Sequence, residues 1–176
     1  MIVPPFDGHA TDIETLEVLA ALVRLHKPQV VVEAGTYRGH GAIYMGSALL
    51  LNGSGHLWTA DPFPMGQQRS IEAAGVADVV TYSQEDYLTT LGRLDSVDFA
   101  FIDASAPDAT GARLRWLHFE ATLPLLSPGG VLCVHDTAAD DWRDGEGGLS
   151  VNRIRERCQL NLTAGRGLSI YVRGHE

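Results

Sequence analysis

The spacing of apolar positions changes several times along the chain, and each change marks an element. Ile13, Leu16, Leu19, Ala20 and Val23 recur at helical spacing until Lys27-Pro28 stops the run, and Thr11 with Glu14 has the form of a capping box ahead of it. Val30, Val31 and Val32 then follow with no polar alternation, as in a strand covered on both faces. From there strand-like runs at 29–34, 56–61, 78–82, 97–103 and 130–136 alternate with helical segments near 40–51, 66–75, 86–92 and 110–126. Parallel neighbours need crossover connections, so this alternation predicts a doubly wound α/β fold with helices on both faces of the sheet.

The tail departs from the alternation. Residues 138–148, rich in Asp, Glu and Gly, read as a loop before a short helix over 149–157. Two further strands, 159–163 and 168–172, are separated by Ala164-Gly165-Arg166-Gly167, which is too short for a crossover. The sheet is therefore expected to end in an antiparallel hairpin. Residues 1–10, with Pro4, Pro5 and Gly8, read as an irregular lead-in.

Length and charge narrow the reading. The chain has 176 residues, which fits a single domain over 1–176. Its formal net charge of −9 opposes phosphate backbones and anionic lipid, so neither nucleic acid nor a membrane is an expected partner. Two cysteines, Cys133 and Cys158, supply neither a disulfide framework nor a zinc-binding pattern. Residues 1–10 lack a secretory leader's regions, and the run Ala42 to Leu51 is too short to span a bilayer; a cytoplasmic location is expected.

In an open parallel sheet ligands bind beyond the carboxyl ends of the strands, so the residues just after each strand carry the chemistry. The first strand runs into Glu33-Ala34-Gly35-Thr36-Tyr37-Arg38-Gly39-His40, a glycine turn leading into a helix N-terminus. Tyr37 stands where a pyrophosphate would need bare backbone, and the dinucleotide pattern G-x-G-x-x-G is absent. The second strand ends at Asp61-Pro62-Phe63, placing a carboxylate where ribose hydroxyls can be bound. Beyond the third strand, Asp86 is either a reader of an adenine amino group or a helix N-cap. The fourth and fifth strands finish at Asp103 and at His135-Asp136-Thr137, and two carboxylates at one rim call for a cation or a shared proton between them.

In that order, these strand ends resemble the class I S-adenosylmethionine-dependent methyltransferases from about Val30 to the end of the chain. The loop Glu33-x-Gly35-x-x-x-Gly39 is similar to that family's first motif, Asp61 to its ribose-binding acid, and the terminal hairpin to its antiparallel sixth and seventh strands. The resemblance implies a Rossmann-like seven-stranded sheet. Within the superfamily, Asp103 and His135-Asp136-Thr137 are similar to the metal-dependent O-methyltransferases of the catechol type, and more closely to the macrocin O-methyltransferase and cephalosporin hydroxylase-like group. Thr137 stands where the catechol enzymes place Asn, and His135 where the macrocin group places an acid.

The resemblance implies methyl transfer from S-adenosylmethionine to the hydroxyl of a small molecule. Glu33, Gly35, Thr36, Tyr37, Gly39, Asp61, Pro62, Phe63, Asp86 and Asp103 would bind the cofactor, and Asp103, His135 and Asp136 would be catalytic. The same three residues would hold Mg²⁺ or another divalent ion, with His135 alternatively a proton acceptor. The segments 104–110 and 138–148 would recognise the acceptor, in a pocket small enough for one chain or completed by a second copy in a homodimer. His40 and His118 are expected at the surface and Trp116 in packing. A non-catalytic cofactor-binding module and a nicotinamide-dependent oxidoreductase are the rival readings.

Overall fold

A computed structural model describes residues 2–105, 111–138 and 149–174. The strands are β1 (Val30–Ala34), β2 (His56–Ala60), β3 (Val80–Ser83), β4 (Val97–Ile102), β5 (Leu126–His135), β6 (Leu160–Leu162) and β7 (Leu168–Val172). The helices are α1 (Ile13–His26), α2 (His40–Asn52), α3 (Gln67–Ala74), α4 (Tyr87–Leu91), α5 (Gly111–Thr122) and α6 (Leu149–Arg157), with one 3₁₀ turn at Leu123–Leu125. One seven-stranded sheet runs β3-β2-β1-β4-β5-β7-β6. Strands β1 to β5 are parallel, and β7 lies antiparallel between β5 and β6. The doubly wound sheet with its terminal hairpin is the architecture the alternation predicts.

The pleat sorts side chains between two cores. Val31, Phe99, Phe101, Val131 and Cys133 point to one face, against Leu16, Leu19 and Val23 of α1 and Ile43 and Leu49 of α2. Val32, Ala34, Ala100, Ile102, Leu132 and Val134 point to the other, against Tyr87 and Leu91 of α4, Phe119 of α5 and Ile154 of α6. With both faces covered, the central strands can read as unbroken apolar runs. Trp116 stacks on Phe119 with ring centroids 5.8 Å apart, the packing role expected of it.

The carboxyl rim of the parallel strands is laced by backbone hydrogen bonds just past the strand ends. Gly35 N–H donates to Ala60 O (3.0 Å), Asp61 N–H to Ser83 O (3.2 Å) and Asp103 N–H to Ala34 O (2.9 Å). Three other segments reach this rim. Helix α1 runs back along the sheet into β1, so its N-terminus lies there; α5 starts there; and the β6–β7 turn is brought there by the pairing of Leu168 with His135. Residues 106–110 and 139–148, which make up most of the expected acceptor segments, lie outside the described residues.

Several local expectations are corrected. Asp12, not Thr11, is the N-cap of α1, and no side-chain capping bond forms there. His40 and His118 are each only 2% exposed. The His40 ring packs against Phe6 and bonds Pro4 O at 3.0 Å, while His118 packs against the Tyr87 ring. Burial pushes the His118 pKa down to about 4, so its ring stays neutral at physiological pH.

Candidate active site

The first strand end is built around Gly35. Its φ of +92° lies in the left-handed region. A Cβ there would come within 2.8 Å of the Asp103 carbonyl and the Ala104 backbone, so only glycine lets the β1 and β4 ends close on each other. Gly39, also left-handed at φ +97°, is the N-cap residue of α2. Between them Tyr37 takes φ +49°; its N–H donates to Asp61 Oδ2 (2.8 Å) and its phenol to Asp7 Oδ2 (2.8 Å). Asp61 Oδ1 accepts from Phe63 N–H (2.9 Å), so the carboxylate is oriented from both sides. Pro62 and Phe63 are exposed, with Phe63 at 54%.

Thr36 and Asp86 are partly committed elsewhere. The Thr36 hydroxyl is buried 2.6 Å from that of Thr59, and its carbonyl accepts from Gly39 N–H at 2.8 Å. Asp86 caps α4 through Leu88 N–H (2.8 Å), the N-cap alternative of the sequence reading. Glu33 is buried and accepts a 2.5 Å hydrogen bond from Thr59. Burial pushes its pKa up to about 8 against the opposing Thr59 bond, so the ligand-free carboxyl is largely protonated at neutral pH.

Beside this loop the rim of β4 and β5 carries a dense ion-pair network. The His135 ring is wholly buried, with Nδ1 3.0 Å from Asp103 Oδ1 and Nε2 3.2 Å from Asp12 Oδ2. Thr11 donates to the other Asp103 oxygen at 2.6 Å. Asp136, at φ +59°, accepts from Arg115 on Oδ2 (2.5 Å) and from Arg166 Nε on Oδ1 (2.6 Å). Arg166 also reaches Ala10 O at 3.2 Å. Asp103 and His135 continue the pleat parity of Phe101 and Cys133 and so meet the N-terminus of α1, whereas Asp136 meets α5.

The charges fit this geometry. Burial alone would raise the Asp103 pKa, but the facing His135 and the Arg115 charge hold it down at about 2. Burial would lower that of His135, yet the Asp103 and Asp136 carboxylates raise it. The ring is set between two carboxylates, with Arg166 Nη2 also 3.3 Å from Nδ1. Enclosed, with both ring nitrogens already engaged, it has no open nitrogen facing the cavity to act as the expected proton acceptor. Gly8, His9, Asp103, Ser105, Arg115, Asp136 and Arg166 line an adjoining cavity of about 200 Å³.

Ligand atoms of Asp103, His135 and Asp136 lie within 4.8 Å of one another, near enough for one cation. The donor set does not fit one. Both oxygens of each carboxylate already accept hydrogen bonds, and both His135 nitrogens face carboxylates. A divalent ion about 4 Å from a single guanidinium would meet a repulsion of about 8 kcal/mol at an effective dielectric constant of about 20, and two guanidiniums are present.

Sequence reasoning missed Thr11, Asp12, Arg115 and Arg166. All four come from the segments that reach the rim from outside the parallel strands. The signal was available: a helix joined to β1 by a short turn must place its N-terminus at the strands' carboxyl ends, and a hairpin antiparallel to β5 must turn there.

A loop of two left-handed glycines at the end of β1, an oriented acid at the end of β2 and a charged rim at β4 and β5 define a ligand-binding α/β domain of the methyltransferase type. Residues 32–137 match the family described as "Methyltransferase domain", and the chain belongs to that family. It is similar to mouse (Mus musculus) "Catechol O-methyltransferase domain-containing protein 1", with 32% identity over 130 residues, 69% of this chain and 47% of that protein. The chain thus spans about half the length of that relative. Among solved structures it is similar to the O-methyltransferase TomG from Streptomyces achromogenes, in complex with SAM, at 26% identity and a TM-score of 0.71, covering 94% of this chain and 82% of that one. An O-methyltransferase from Bacillus cereus, in complex with SAH, shares the fold at 21% identity and a TM-score of 0.75, covering 94% and 83% of the two chains.

Proposed function

We propose that this chain binds S-adenosylmethionine along the rim from Glu33 to Asp86 and that a methyl group passes from it to the hydroxyl of a small acceptor. The observation that carries the reading is that Gly35, Asp61 and Asp103 stand along one rim of the sheet, each just past its strand. Asp61, held by two backbone N–H groups, accepts from the ribose hydroxyls. Pro62 and Phe63 offer an exposed apolar and aromatic surface to the adenine, and the remaining oxygen of Asp86 faces its amino group. Glu33 and the loop residues Gly35, Thr36, Tyr37 and Gly39 border the amino-acid end; the N–H groups of Gly35, Tyr37 and Gly39 are already given to Ala60, Asp61 and Thr36, so the loop contributes close approach of its backbone.

When bound, the cofactor supplies a methyl on a positively charged sulfur, which becomes a neutral thioether as the methyl leaves. The chain's part is chiefly alignment, and holding two reactants at near-attack distance accounts for roughly 7–11 kcal/mol of barrier in favourable cases. Asp103 and Asp136, fixed in the ion-pair network, form the floor on which the acceptor lies, and His135 positions Asp103. The acceptor's proton leaves as the new C–O bond forms, and the exposed imidazole of His9, which lines the cavity, is placed to take it. The cavity volume favours a small acceptor group. No step passes through a divalent ion. Among the described residues no helix is long and apolar enough to cross a membrane.

Calorimetric titration with S-adenosylhomocysteine tests the reading. The wild type is expected to bind, and Asp61→Ala to bind about tenfold or more weakly, since a hydrogen bond to a charged group contributes about 1.5–3 kcal/mol. Stabilisation by NAD with none by S-adenosylhomocysteine would overturn it in favour of the oxidoreductase. Incubation with methyl-labelled cofactor and a metabolite extract then identifies the acceptor; binding with no label transferred to any acceptor would mean a binding module without turnover.

A further inference from the structure

We infer that the β4–β5 rim excludes divalent cations, and that the guanidiniums of Arg115 and Arg166 supply the positive charge a metal would otherwise bring. This deepens the methyl-transfer reading, but its test needs no cofactor or acceptor. Three carboxylates, Asp12, Asp103 and Asp136, face the His135 ring and the two guanidiniums of Arg115 and Arg166, so the acids already have cationic and hydrogen-bonding partners without an added ion. Asp136 is the residue any shared ion would need, and its oxygens point at two guanidiniums from different elements, α5 and the β6–β7 turn. An entering ion would have to displace both bidding donors and leave one of them, Arg115, buried at 1% exposure beside a divalent charge.

The two arginines differ in exposure. Arg115 is enclosed, whereas the Arg166 side chain is 31% exposed at a turn and can be exchanged with less disturbance. Arg166→Gln removes one positive charge and releases Asp136 Oδ1 from its guanidinium, leaving the rim more negative and that oxygen facing only the His135 ring. Excluding the ion is therefore a property of Arg166 as much as of the acids.

The experiment is Mn²⁺ titration of the ligand-free protein, followed by the loss of the free-ion paramagnetic resonance signal, with thermal unfolding measured in Mn²⁺ and in chelator. Wild type is expected to leave the signal undiminished into the millimolar range and to melt at the same temperature in both conditions. Arg166→Gln is expected to bind Mn²⁺ at least about tenfold more tightly than wild type, and Arg166→Gln with Asp136→Asn to lose that gain. Micromolar binding by the wild type that disappears in Asp136→Asn would overturn the inference. So would a folded Arg166→Gln protein, judged by circular dichroism, with no gain in affinity. Failure of S-adenosylhomocysteine to bind would sink the cofactor reading and leave these metal results standing.

Discussion

At Glu33 a short apolar strand carries a carboxyl into the interior, where only the Thr59 hydroxyl answers it. Its pKa rises from 4.5 to about 8, so the folded state keeps a proton that the unfolded chain releases. The resulting stability is fully present below the unfolded value and is lost as pH rises through the folded one. The ligand-free protein is therefore expected to lose a few kcal/mol between about pH 5 and about pH 9 from this group, and Glu33→Gln to flatten that slope. Urea unfolding at the two pH values checks it; a wild type and variant with parallel pH dependence would refute it. Residues such as Glu33, Asp61 and Asp103 are legible in sequence because strand ends are legible. The partners of Asp103 are not: Thr11 lies 92 positions away and His135 32 positions away, and no local pattern announces which charge will meet which.

Among the elements, the β6–β7 hairpin shows how a turn can be readable while its purpose is not. Its two strands and the short connection between them follow from apolar runs around Ala164-Gly165-Arg166-Gly167, the connection running over 163–167. Nothing in those runs indicates that Arg166 is aimed at Asp136. The aim depends on Gly167, at φ +86°, where a Cβ would come within 2.2 Å of Ala138 N. Gly167→Ala is expected to cost about 1–3 kcal/mol in chemical denaturation and to weaken the Arg166–Asp136 pair with it. An unchanged unfolding midpoint would count against that dependence. Helix α1 teaches the converse. Thr11 and Glu14 have the spacing of a capping box, yet Thr11 bonds Asp103 instead, because a helix end at the ligand rim has a stronger partner across the sheet than along its own backbone.

Over the whole molecule the doubly wound sheet, its covered faces and the position of the ligand rim follow from alternating periodicity and the carboxyl-end rule. The rim network follows from neither, because it joins distant parts of the chain. Asp12 meets His135 across 123 positions and the Arg166 backbone across 154. Closing such long loops is entropically slow compared with pairing the neighbouring β1, β2 and α2, so the sheet can assemble before the ion pairs do. The candidate catalytic floor is then where folding finishes. Thr11→Val is expected to leave the refolding rate nearly unchanged and to speed unfolding, which stopped-flow chevrons resolve; a matching drop in the refolding rate would place this contact in the nucleus instead. A transient opening that frees the lead-in from β4 and β5 would therefore undo that side of the rim first while β1 and β2 still stood, so that, on the proposed reading, methyl transfer would be lost before cofactor binding.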